Sequence, residues 1–274
     1  MSHTILDQIV AQKHLEVADQ KSLVPVAKLE RSLYFQTQPV SFKKYLQRPD
    51  LNGIIAEFKR RSPSKGIINA YAPVERTSIG YMQAGASALS ILTDGPFFGG
   101  KNEDLTTARK FNFCPILRKD FVLEEYQILE AKSIGADAIL LIAAILTKEE
   151  VSNLAQFAHS LGLEVLLEVH NQEELERTVT PHVDAIGVNN RNLHDFTVSV
   201  EISKELAALI PNEFVKVSES GLTSAQTILE LRDYGFEGFL MGETFMRTSR
   251  PEKALASLVD ELKKRRTAAS VQNQ

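Results

Sequence analysis

Short apolar runs recur along the chain at 54–58, 87–92, 115–117, 138–142, 164–167, 185–188, 215–217 and 238–241, and amphipathic stretches of helical length separate them. Eight alternations of this kind predict an α/β chain folded as a single (β/α)8 barrel over 51–266, with a doubly wound sheet as the less favoured arrangement. An internal echo supports the count. AGASALSIL (84–92), IGADAILLI (134–142) and YGFEGFLMG (234–242) each put a glycine where a helix should stop, just before a strand. Helix starts are marked by Thr147–Lys148–Glu149–Glu150 and Thr223–Ser224–Ala225–Gln226. Residues 1–50 precede the first run and carry two helical apolar stretches, Ile5–Val17 and Val40–Leu46, broken by Pro25 and Pro39. They read as an N-terminal helical extension that covers either the mouth or the floor of the barrel. Residues 267–274 read as a disordered tail.

A chain of 274 residues suits one barrel of roughly 250 residues with a short appendage. The formal charge of −4, with no longer basic cluster than Lys263–Arg266, argues against a nucleic-acid surface. One cysteine, Cys114, excludes an intramolecular disulfide and reads as buried filler rather than a nucleophile. No apolar stretch approaches the ~20 residues of a membrane span, and the N-terminus lacks a secretory apolar region. The expected setting is the cytoplasm and the expected assembly a monomer.

The chemistry lies where the apolar runs end. In a parallel barrel these ends converge at the C-terminal mouth, where active sites form. Glu57 and Lys59 flank Phe58, so period-two geometry sends both to one face, either as a strand-end salt bridge or as ligand-facing groups. The loop that follows, Arg60–Gly66, gathers donors including Ser62. The third run ends in Arg118–Lys119–Asp120; a desolvated Lys119 near other cations would have a lowered pKa, suited to a general acid or a Schiff-base nucleophile. Glu168 follows Leu166 and Leu167 and is a candidate for a raised pKa and proton transfer. Beyond the sixth and seventh runs stand Asn189, Arg191, Glu219, Ser220 and Gly221, and beyond the eighth Gly242 and Glu243. Phosphate sites on this fold often form from the last two loops, where small residues let backbone N–H groups reach an oxyanion. The histidines show no HxH or HExxH spacing, so no metal is expected and His170 reads as a satisfied surface or loop residue. Phe97–Phe98–Gly99–Gly100 is either an aromatic flap over a ligand or a packed loop.

Taken in chain order, IIAEFKRRSPSKG, SILTDGPFFGG, PILRKDF, LLEVH, IGVNNRNL, VSESG and LMGETFMR resemble the indole-3-glycerol phosphate synthase family, over about residues 50–250. The resemblance implies a TIM barrel with an N-terminal extension over the substrate. It also implies a cofactor-free enzyme of tryptophan biosynthesis that closes, decarboxylates and dehydrates 1-(2-carboxyphenylamino)-1-deoxyribulose 5-phosphate. Residue by residue, it implies Lys119 as the general acid on the ketone oxygen, Glu168 as the acid/base group of dehydration, and Lys59 as a substrate-anion ligand that takes part in dehydration. Glu57 would orient Lys119 and substrate hydroxyls. Asn189, Glu219, Ser220, Ser62 and Phe98 would position substrate. Arg191, Gly221, Gly242 and Glu243 would form the phosphate site, Glu243 through its backbone N–H because its carboxylate would repel phosphate. The departures are Lys101, where the family often has serine, and Arg118, where other residues also occur; they touch loop closure rather than the proton-transfer groups. A Schiff-base aldolase using Lys119, or a non-catalytic sugar-phosphate-binding barrel, are the alternatives.

Overall fold

The computed structural model describes residues 4–193 and 195–272. Eight parallel strands close into a barrel: Ile54–Phe58, Ala88–Leu92, Ile116–Lys119, Ala138–Ile142, Glu164–Val169, Ala185–Asn189, Val215–Glu219 and Phe236–Met241. Each pairs with its sequence neighbours, and the first closes on the eighth through the Ile54/Phe239 to Ala56/Met241 register. The third, fifth and seventh strands each run two residues further than the apolar runs suggested. Lys119, Glu168 and Glu219 are therefore held by ladder pairing rather than by loops, which fixes their direction more firmly.

Strand alternation divides the interior into two cores. One row of side chains, including Phe58, Ile91, Ile116, Leu167 and Met241, packs outward against the helices. The other row, including Ile55, Leu117, Leu140, Leu166 and Val217, fills the lumen. Continuing the lumenal row toward the strand ends gives Glu57, Lys119, Glu168 and Glu219. The pleat that buries leucines and valines below thus delivers charges above.

The helix signals act as read. Gly85, Gly135 and Gly235 take left-handed φ values of 96°, 94° and 86°, a region in which a side chain would be strained. Thr147 caps its helix in a reciprocal capping box with Glu150. At the second site the capping side chain is Ser224, whose Oγ accepts the Thr227 N–H.

The extension covers both ends of the barrel. The helix Phe42–Leu46 plugs the floor, where Phe42 and Leu46 pack on Ile55, Ala88, Leu117 and Ala138. Its start is pinned by Glu164, which accepts the Ser41 hydroxyl and the Lys43 N–H, each at 2.6 Å. The helix Ile5–Leu23 lies across the mouth. One buried stripe on this helix, Ile9–Lys13–Val17, places a lysine at its centre. Lys13 Nζ lies 2.9 Å from both Asp94 Oδ2 and Asp120 Oδ1, on the loops after the second and third strands. Burial opposes the Lys13 charge, but Asp120 and Asp94 outweigh it and raise the pKa above that of an ordinary lysine. The last helix, Pro251–Gln272, runs into the segment expected to be a disordered tail, of which 273–274 lie outside the described residues. Ala268 and Ala269 favour the helical state there and no Pro or Gly interrupts it.

Candidate active site

All thirteen residues expected at the site line one cavity of about 180 Å³ at the barrel mouth. Ile5, Leu6 and Ile9 of the N-terminal helix form part of its apolar wall. Phe98 and Phe121 form another part, their rings tilted at 5.9 Å. The Phe97–Gly100 segment is a packed loop: Asp94 Oδ1 accepts the N–H groups of Phe97 and Phe98, and the Asp94 carbonyl accepts that of Gly100.

The polar floor is a line of alternating charge. Lys119 Nζ donates to Glu168 Oε2 at 2.6 Å and to Glu219 Oε2 at 2.8 Å. Asn189 Nδ2 donates to Glu168 Oε1 at 3.2 Å. On the other side Lys59 Nζ lies 2.6 Å from Glu57 Oε1, so the strand-end salt bridge and the ligand-facing orientation are both realised. Glu57, expected to orient Lys119, is ion-paired with Lys59 and acts on Lys119 through its charge.

This line of charge reverses two expectations about pKa. Burial alone would lower the pKa of Lys119, but Glu168, Glu219 and Glu57 override it and raise the value well above the ordinary range. The side chain is an ammonium, held in that state by the carboxylates around it. Burial alone would raise Glu168, yet Lys119 and then His170 pull its pKa down to about 2. The raised carboxyl is Glu219, pushed up to about 7 by burial and by the charges of Glu168 and Glu57, with Lys119 opposing. One ammonium cannot neutralise two carboxylates it touches, so the second keeps its proton nearer neutrality. Glu219 Oε1 is buried with no hydrogen-bond partner.

Two glycines make room for these carboxylates. A Cβ at Gly242 would lie 2.4 Å from Glu57 Oε1, and one at Gly187 would lie 2.3 Å from Glu219 Oε1. Gly242 thus has a steric duty toward Glu57 besides any backbone role at the following helix. Ser220 and Gly221 both take left-handed backbone, φ 66° and 74°, where the seventh strand turns away from the mouth. The Glu243 carboxylate sits between Arg191 Nη2 at 3.5 Å and Lys65 Nζ at 3.6 Å.

His170 lies in the bend just past the fifth strand, as the loop reading expected, but its side chain is not at the surface. Its side chain is 9% exposed, with Nδ1 3.0 Å from Glu174 Oε2 and Nε2 3.4 Å from Glu168 Oε1. The signal was present in the strand period, since residue 170 shares the parity of residue 168. Lys13 was missed because a lysine in an apolar stripe reads as an exposed residue until its partners are known. Among the described residues no cluster of His, Cys, Asp or Glu has metal-binding geometry, and no helix is long and apolar enough to cross a membrane.

The family model for indole-3-glycerol phosphate synthase matches residues 6–258. The chain belongs to the indole-3-glycerol phosphate synthase family. It is 49% identical over 255 residues to the indole-3-glycerol phosphate synthase of Bacteroides thetaiotaomicron, covering 93% of this chain and 97% of that one. The synthase of Campylobacter jejuni is 39% identical over 259 residues, covering 93% of this chain and all of its relative. That of Burkholderia ambifaria is 40% identical over 256 residues, covering 93% and 98%. Among solved structures, one described as KGPDC from Streptococcus mutans superposes with a TM-score of 0.59 at 13% identity, covering 78% of this chain and 99% of that one. One described as native KDPGal superposes at 0.55 and 16% identity, covering 85% and 99%. At such identities the likeness is one of fold alone. The synthase family model takes in the N-terminal helix from residue 6, so the helix that roofs the mouth lies within the family match.

Proposed function

We propose that the mouth catalyses the decarboxylating ring closure and dehydration of 1-(2-carboxyphenylamino)-1-deoxyribulose 5-phosphate to indole-3-glycerol phosphate, CO2 and water. Lys119 protonates the ketone oxygen as the ring carbon bearing the carboxylate attacks the carbonyl carbon. The C–CO2 bond then breaks, and its electron pair restores the aromatic ring. In the dehydration Glu168 takes the proton from the carbon beside the nitrogen, Lys59 supplies one to the leaving hydroxyl, and water departs. Protons in and out balance, and the steps need only an acid and a base.

The observation that carries this reading is the state of Lys119, an ammonium gripped by two buried carboxylates and aimed into the cavity. A cation fixed where an alkoxide forms stabilises that charge without reorganisation. The same grip disfavours the Schiff-base alternative, because imine formation needs a free amine and the pKa is raised, not lowered. Glu219 and Asn189 hold Lys119 and Glu168 in register and meet substrate hydroxyls, and Ser62 and Phe98 flank the aromatic end. Arg191, with the backbone at Ser220–Gly221 and Gly242–Glu243, receives the phosphate. The test is Lys119→Met, which keeps the stem and removes the proton. Turnover should fall roughly 10²–10⁴-fold with KM little changed. Unchanged turnover removes Lys119 from the mechanism.

A further inference from the structure

His170 is an ionisable group beside the mouth, its side chain 9% exposed, to which the proposed chemistry gives no task. It stands just past the end of the fifth strand, two residues beyond Glu168, and is not among the cavity-lining residues. Its ring is clamped from one side. Glu174, in the first turn of the helix Gln172–Thr178, accepts from the His170 backbone N–H at 2.8 Å and faces Nδ1 at 3.0 Å through the same Oε2. The clamp fixes the ring plane and the tautomer, because Nδ1 must carry a proton to donate to a carboxylate. The opposite nitrogen, Nε2, is left buried with no hydrogen-bond partner and lies 3.4 Å from Glu168 Oε1. An orphaned buried ring nitrogen is costly, so its retention beside a proton-transfer carboxylate calls for a reason.

We infer that His170 is a positioning residue for Glu168: clamped by Glu174, its Nε2–H edge backs the Oε1 side of the carboxylate and holds it ionised and aimed at the substrate. The inference rests on the reading of Glu168 as the dehydration base. The charged groups facing the imidazole are Glu174 on the following helix, Glu168 on its own strand and Glu219 on the seventh; Lys119, on the third, stands beyond Glu168. Burial opposes the imidazolium, but the Glu174 hydrogen bond and these carboxylates raise the His170 pKa overall. The proton on His170 and the charge on Glu168 therefore support each other, and removing either should shift the other in a defined direction. Without the imidazolium, ionised Glu168 loses a favourable neighbour and its pKa rises. The acid limb of a reaction that uses Glu168 as base then moves to higher pH.

Two measurements on the full chain test this. In His170→Gln, kcat for the carboxyphenylamino-deoxyribulose phosphate should fall about tenfold with KM within about twofold, and the acid limb of kcat should move up by about one pH unit. A purely structural His170 would lower stability or active fraction and leave the acid limb where it is, and that outcome overturns the inference. The second measurement is independent of turnover. The His170 imidazole signal, assigned by its loss in His170→Gln, is titrated by NMR in the free protein and in Glu168→Gln. Its midpoint should fall by about one unit when Glu168 is neutral, and an unmoved midpoint overturns the inference. If the wild-type protein fails to turn over this substrate, the proposed function fails while the NMR titration still decides the coupling.

Discussion

Replacing Lys13 with methionine should cost this protein more than any other single change on its N-terminal helix. Methionine preserves most of the stem that packs between Ile9 and Val17, so the loss is chiefly of charge. Lys13 Nζ is the cation between Asp94 and Asp120, whose side chains are 0% and 3% exposed. Asp120 would keep Arg118 and the Thr93 hydroxyl as partners. Asp94 would keep two backbone N–H donors on Oδ1, while its Oδ2, which has no hydrogen bond, would lose the ammonium at 2.9 Å. Removing one member of a buried ion pair costs about 3–5 kcal/mol, against about 0–1 for an exposed pair. At about 2 °C per kcal/mol for a chain of this size, Tm should fall by roughly 6–10 °C. Because the Lys13 pKa is raised in the folded protein, its contribution is complete below the unfolded-state value and is lost only as pH rises through the higher folded value. The gap between wild type and variant should therefore stay constant from about pH 6 to about pH 9. Adding Asp94→Asn, which keeps the Oδ1 acceptor and removes the stranded charge, should recover about 1–3 kcal/mol. Urea titrations and thermal melts by circular dichroism give all three quantities. A loss below about 1 kcal/mol, or no recovery in the double variant, would refute the view that this cluster is desolvated and ties the roof to the barrel.

Glu219 offers a test of opposite sign. Its folded pKa of about 7 lies above the ordinary carboxylate value, so the folded state binds the extra proton and stability declines as pH rises from the unfolded value through about 7. Glu219→Gln should accordingly be more stable than wild type near pH 8 and lose that advantage toward pH 5, by thermal melts; a pH-independent difference would contradict the assigned shift. At the phosphate end, Glu243→Gln should let inorganic phosphate bind more tightly, because the present carboxylate competes for Arg191 and Lys65. Inhibition by phosphate that is unchanged or weaker would count against this assignment.

The eight-stranded plan was legible because two local signals agree, apolar runs of strand length and glycines or caps that stop and start the intervening helices. The site was legible in its membership for a related reason: where a lumenal apolar row meets Glu57, Lys119 or Glu168, the change of chemistry marks the mouth. The electrostatics were not legible. Two leucines before Glu168 suggest a desolvated, raised carboxyl, but a lysine 49 residues earlier lies 2.6 Å away and reverses the sign. Which of three carboxylates keeps its proton depends on how Lys119 is shared between Glu168 and Glu219, 100 positions from Lys119, and no local window contains that. Lys13 and His170 were missed for the same cause, since both look like exposed polar residues until Asp94, Asp120, Glu168 and Glu174 are placed around them. The last helix runs past the expected start of the tail because its terminal position alone suggests disorder, while 267–272 contain no helix breaker.

On the proposed chemistry, this mouth converts an open anilino sugar phosphate to an indole by acid and base alone. Incubating the purified protein with 1-(2-carboxyphenylamino)-1-deoxyribulose 5-phosphate, in the presence of a metal chelator, and following indole fluorescence together with released CO2 tests this. One CO2 should be released per indole formed, at a rate the chelator does not change. Substrate that stays intact, or that is consumed without indole, would contradict it.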